Sequence, residues 1–173
     1  MAGLRRSLDT LFIAFYVFEA VSTIFFDTQQ LLPSYIYPKP LTDLFQWYTQ
    51  HFRDPYMANA RNMPWFASFC IVEFITHIPF FFFAIYAYYK GPSKCPWIRI
   101  PVIMYCVQII TFVTAVEAGV FFDDFSKTKL LAPRNFGERL RLGTNYSLFF
   151  FVPLTNLLDA LFSSAYTPKA KTA

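Results

Sequence analysis

Charge is scarce in this chain. Lys, Arg, Asp and Glu make up 15% of its 173 residues, while 55% are hydrophobic and 21% aromatic. A soluble domain carries about 25% charged residues. In water, so small a protein would have to bury several apolar runs, each as long as a membrane is wide, which its surface-to-volume ratio disfavours. Cysteine is scarce too: Cys70, Cys95 and Cys106 lack CxxC spacing and point to neither a disulfide framework nor a metal site. The net charge of +4 comes from residues at the flanks of apolar runs and in connections. With no basic stripe, nucleic acid is excluded as a partner. The chain has no internal repeat and no low-complexity segment. It reads as an all-α, polytopic helical membrane protein.

The apolar runs predict spans over about 8–26, 65–89, 97–122 and 142–162, a four-helix transmembrane bundle forming a single domain over 1–173. The stretch Trp65–Tyr89 is long enough, at about 1.5 Å per helical residue, to cover a hydrocarbon core of about 30 Å. Arg5 and Arg6 followed by an apolar run resemble a secretory signal. The run is long, however, contains Glu19 and has no small-x-small cleavage site, so it reads as an uncleaved first span. Pro79 and Pro153 are expected to kink the second and fourth spans and free a carbonyl in each.

Residues 28–64 form the longest connection. Between Pro40 and Pro55, Leu41, Leu44, Phe45, Tyr48 and Phe52 recur at helical spacing, predicting a short amphipathic helix with Trp47 and Tyr48 at the bilayer interface. Residues 123–141 read as a charged connection. An even number of spans puts both termini on one side, but the basic residues do not settle which. The ending Lys169-Ala170-Lys171-Thr172-Ala173 has the K-x-K-x-x form of a dilysine retrieval signal. It predicts an endoplasmic reticulum membrane protein with cytosolic termini.

The informative residues are the polar ones inside the spans. Tyr16, Glu19, Thr23 and Asp27 follow helical spacing and share a face of the first span. Glu73 and His77, four residues apart, are expected on one face of the second. The third span offers Gln108, Thr111 and Glu117, and the fourth Asn145, Tyr146 and Asn156. A carboxylate at membrane depth costs at least about 2.5–3.5 kcal/mol and needs a partner, a cavity or a proton. Polar faces turned inward predict an intramembrane pocket walled by aromatics such as Phe69, Phe80, Tyr105 and Phe149. Two acids in it cannot both ionise freely and would attract a cation. Alternatively, such groups only bridge helices.

Several motifs occur in a familiar order. These are Phe25-Phe26-Asp27-Thr28-Gln29, Trp47-Tyr48 with Phe52-Arg53-Asp54-Pro55, Glu73 with Pro79-Phe80-Phe81, and Lys90-Gly91 with Trp97-Ile98-Arg99-Ile100-Pro101. Asp124-Phe125-Ser126-Lys127 and Glu138-Arg139-Leu140 follow. Together they resemble the EXPERA family over nearly the whole chain. That family includes membrane receptors for sterols and cationic amphiphiles as well as the emopamil-binding sterol isomerase. The resemblance implies a homodimer of the endoplasmic reticulum that binds sterols, oxysterols and cationic amphiphilic molecules within membrane lipid, without a cofactor. It further implies a role in cholesterol homeostasis, with a lysosomal cholesterol transporter as partner.

In those receptors the acid matching Asp27 pairs with the ligand amine, and the acid matching Glu73 bonds to it. The implied ligand-binding set is therefore Asp27, Glu73, His77, Glu19, Thr111, Phe69, Tyr146 and Phe149. Glu19, His77 and Phe149 depart from the receptor pattern, which has His, Gln and Tyr there. The isomerase alternative would use Glu73, His77 and Asn145 for carbocation chemistry, but no Trp follows Trp97. A non-catalytic chaperone or scaffold is the third reading.

Overall fold

The structure, a computed structural model, describes residues 2–128 and 130–167. Every regular element among them is helical. The longer helices are α1 (Ala2–Phe25), α2 (Lys39–Phe52), α3 (Pro55–Asn59), α4 (Pro64–Val72), α5 (Ile78–Lys90), α6 (Arg99–Phe122) and α7 (Phe136–Phe162). Three helical segments are long and apolar enough to cross a membrane: Arg5–Gln30, Pro64–Lys90 and Pro96–Phe122. The dilysine-like ending at Lys169–Ala173 lies outside the described residues.

The helices are arranged opposite to those of a water-soluble bundle. On α1, Tyr16 and Thr23 are fully buried and Glu19 is 2% exposed, while Leu11 and Val17 face outward. On α6 the inward stripe is Val102, Tyr105, Cys106, Ile109, Val113, Val116 and Val120, a 3–4 repeat, with Ile100, Met104 and Val107 outside. Large apolar side chains over the outer surface are costly in water and favourable in lipid.

The second apolar segment is not one continuous α-helix. Between α4 and α5, Glu73–His77 form a π turn in which the Ile78 N–H donates to the Glu73 carbonyl five residues back. The cause is local. Pro79 has no N–H, and its ring crowds the carbonyl four residues earlier; a wider turn relieves that clash. The Thr76 hydroxyl donates to the Val72 carbonyl at 2.7 Å. The expected disturbance at Pro79 is therefore present, but as a π turn ahead of the proline. At Pro153, by contrast, α7 runs through as helix.

The last helix begins earlier than its apolar run. The Asn135 side chain accepts from the Glu138 N–H at 2.9 Å, and Glu138 Oε2 accepts from the Arg134 N–H at 2.7 Å. These two bonds cap α7, so 136–141, expected as loop, are helical. Charge there hid the helix from a reading based on hydropathy.

α1 packs along α5, and α6 along α7. Two packed clusters fill the bundle at different levels. One centres on Phe12, Tyr16, Phe81, Tyr88, Val102 and Tyr105; the other on Tyr56, Phe66, Cys70, Val116, Val120 and Leu142. The first is stitched by buried polar contacts: Asn156 accepts from the Tyr88 hydroxyl at 2.6 Å and donates to the Tyr16 hydroxyl at 2.7 Å. At its edge Arg5 holds Asp159 at 2.7 Å and Asp9 at 2.6 Å.

In the second cluster, Gly119 faces the Tyr56 ring, whose hydroxyl donates to Asp123 Oδ2 at 3.2 Å. A Cβ at Gly119 would land on that hydroxyl. Gly119→Ala is therefore expected to displace Tyr56 and lower stability by about 1–3 kcal/mol, as overpacking does. Thermal unfolding in detergent reads the effect, and an unchanged midpoint would refute the contact.

Candidate functional site

Between the two clusters the bundle is hollow. A cavity of about 470 Å³ is bounded by Ile109 and Val113 of the first cluster and by Phe66, Cys70 and Val116 of the second. The C-terminal half of α1, α4 with its π turn, α6 and the first half of α7 form its sides, and Leu41, Leu44 and Tyr48 of α2 reach it. Most of the wall is aromatic or aliphatic. Phe69 stacks on Phe112 with ring centroids 4.0 Å apart, and Phe18 on Phe149 at 6.2 Å.

The acids stand in that wall. Glu19, Asp27 and Glu73 all line the cavity. Thr23, one turn beyond Glu19 on α1, donates to Glu73 Oε1 at 3.3 Å, and Asp27 lies one turn further along. The α1 stripe and the π turn thus meet through one hydroxyl. Asp27 and Glu73 are close enough to act on each other electrostatically. Among the described residues no group of His, Cys, Asp and Glu converges as a metal site. The arrangement suits an organic cation, held by carboxylates at one point and by aromatic surface elsewhere.

The structure brings Asp27, Glu73, Glu19, Phe69, Tyr146 and Phe149 to this cavity. Two expected residues are not brought to it. Thr111 lies two positions from Ile109 and Val113, on the outward side of α6, and its hydroxyl donates to the Val107 carbonyl at 2.8 Å. His77 is buried elsewhere, with Nε2 at 2.9 Å from Gln108 Oε1 and its ring 4.8 Å from Tyr105. The spacing argument assumed an α-helix, in which His77 follows Glu73 on one face. In a π turn the residue bonded beneath Glu73 is Ile78, and His77 is turned aside. Phe80 and Tyr105, expected in the wall, belong to the packed cluster around Tyr16.

Sequence reasoning missed the support at the cavity rim. Asp54 is wholly buried, and its Oδ1 accepts from the Tyr56 and Met57 N–H groups at 3.0 Å. Its Oδ2 accepts from the Tyr146 hydroxyl at 2.7 Å and from Tyr48 at 3.5 Å, while Asn145 donates to Tyr48 at 2.7 Å. Burial pushes the Asp54 carboxyl above its ordinary range, and the four donors pull it back. An Asp before Pro55 at the first helical position is a helix-cap signal that composition alone does not weigh.

Comparison with known proteins gives a consistent result. The sequence profile of EXPERA (EXPanded EBP superfamily) matches residues 40–160. Sigma intracellular receptor 2 of Xenopus tropicalis is 39% identical over 171 residues, covering 99% of this chain and 98% of that protein. The Homo sapiens protein of the same name is 34% identical over 170 residues, covering 96% and 94%.

Proposed function

The chain belongs to the EXPERA superfamily, and from that premise we propose that it is an intramembrane receptor for sterols and cationic amphiphilic molecules. What supports this reading is that Asp27 and Glu73 both line an otherwise apolar cavity, with the Thr23 hydroxyl donating to Glu73 Oε1. The acidic pair takes the ligand's ammonium, and Phe69, Phe149 and their neighbours take its hydrocarbon body. Tyr146, held by Asp54, sets the rim.

In this reading α7 is the fourth span of the bundle, and α2 lies in the bilayer interface with Trp47 toward the headgroups. The protein resides in the endoplasmic reticulum membrane with both termini cytosolic, works as a homodimer and acts in cholesterol homeostasis, with a lysosomal cholesterol transporter as partner. The receptor names of the relatives support binding over turnover.

The test is saturation binding of a radiolabelled cationic amphiphile to membranes containing the protein, competed with cholesterol and an oxysterol. Saturable binding displaced by sterol is expected. Absence of saturable binding to correctly folded protein would sink the proposal. In the same preparation a Δ8-sterol should pass unchanged; its conversion would mean isomerase chemistry instead.

A further inference from the structure

The proposed receptor site needs one ammonium position, yet its wall carries a further acid. Glu19 lines the cavity, is 2% exposed, and its Oε1 has no hydrogen-bond partner among the described residues. A carboxylate buried that way is costly unless something donates to it. The Tyr105 hydroxyl and His77 Nδ1 are likewise buried without a partner. Tyr105 packs edge-on against His77, with ring centroids 4.8 Å apart, and lies within electrostatic reach of Glu19. Because His77 Nε2 meets the carbonyl oxygen of Gln108 at 2.9 Å, that nitrogen carries the proton and Nδ1 is a bare acceptor. Glu19 Oε1 therefore offers the cavity an unfilled acceptor, while Tyr105 and His77 stand outside the cavity wall. A primary ammonium has three N–H donors and no acceptor.

Spacing separates this position from the first. Glu19 and Asp27 are eight residues apart along α1 and the turn that follows it, about 12 Å at helical rise, with Thr23 and Glu73 between them. The acids follow one stripe of the wall, with Glu19 within electrostatic reach of Glu73 and Asp27, and no metal-site group of His, Cys, Asp and Glu occurs among the described residues.

We infer that the cavity selects a dibasic amphiphile, with one ammonium on the Asp27–Glu73 pair and a second, primary ammonium on Glu19. This rests on the receptor reading above and names the ligand class that reading leaves open.

Three probes decide it on the full chain in lipid nanodiscs: N-dodecylhexamethylenediamine; N-heptyldodecylamine, with methyl in place of the terminal amine; and the matching amino alcohol, with terminal hydroxyl. Wild type is expected to bind the diamine about 10-fold or more tighter than either other probe, the scale of one hydrogen-bonded charge. In Glu19→Gln the diamine-to-monoamine ratio should collapse toward one, while Glu19→Asp keeps most of it. The ratio is the readout, so any general loosening of the cavity cancels.

Equal binding of diamine and monoamine to wild type would overturn the inference, as would a ratio untouched by Glu19→Gln. An amino alcohol as tight as the diamine would also overturn it, reducing the position to a hydrogen-bond acceptor. Monoamine binding that depends on Asp27 but gains nothing from the second amine removes this inference alone. No binding of any probe removes the receptor reading with it.

Discussion

Asp27→Asn is expected to weaken binding of a monobasic cationic amphiphile by about 100-fold or more. Removing one partner of a desolvated, hydrogen-bonded charge pair costs about 2–5 kcal/mol, and each 1.4 kcal/mol is tenfold. Asn is nearly isosteric, so the loss isolates charge from shape. A neutral sterol, held by the apolar wall, should lose only a few-fold in the same variant. Glu73→Gln should cost a cationic ligand less, about 10-fold, if Glu73 acts chiefly through its neighbour. Radioligand saturation for the amine and a photoreactive sterol for the neutral ligand measure the two arms. Equal losses for amine and sterol would mean that Asp27 shapes the cavity rather than anchoring a charge. An undiminished amine affinity would move the anchor to Glu73 or Glu19.

Legibility in the sequence followed the physics of each signal. The α1 stripe of Tyr16, Glu19, Thr23 and Asp27 was readable because an unbroken helix keeps its period, and the structure buries Tyr16, Glu19 and Thr23. The same rule misplaced His77, since a π turn ahead of a proline changes the register in mid-span. Thr111 is polar, but a threonine can satisfy its hydroxyl on its own helix and face outward, as Thr111 does on the Val107 carbonyl. The start of α7 was hidden because Glu138, Arg139 and Arg141 broke the apolar run while Asn135 and Glu138 capped a helix. Asp54 was the deepest omission. Its partners Tyr146 and Tyr48 lie 92 residues ahead and six behind, and only the fold brings them together.

Asp54 carries the second large expectation, and it concerns stability. Asp54→Ala would leave the Tyr56 and Met57 N–H groups and the Tyr146 hydroxyl without their acceptor inside the protein. Losing the cap costs about 0.5–2 kcal/mol and each buried orphaned donor about 1–3 kcal/mol, so a net loss of about 3–5 kcal/mol is expected after relaxation. Asp54→Asn keeps a carbonyl for the backbone donors and should cost about 1–2 kcal/mol at neutral pH. The pH dependence separates charge from geometry. Burial raises the folded carboxyl above its ordinary 3.8, so the folded state holds the proton more tightly than the unfolded one. Its stabilising contribution is then full below 3.8 and declines as pH rises from there to the folded value. Asn does not titrate, so the advantage of wild type over Asp54→Asn should be widest in acid and shrink across that window. Thermal unfolding in detergent at several pH values tests both parts. An Asp54→Ala protein that melts with wild type would show that Tyr146 and Tyr48 keep the rim without it. A wild-type advantage that grows with pH would mean that the donors outweigh burial and Asp54 is held as the carboxylate.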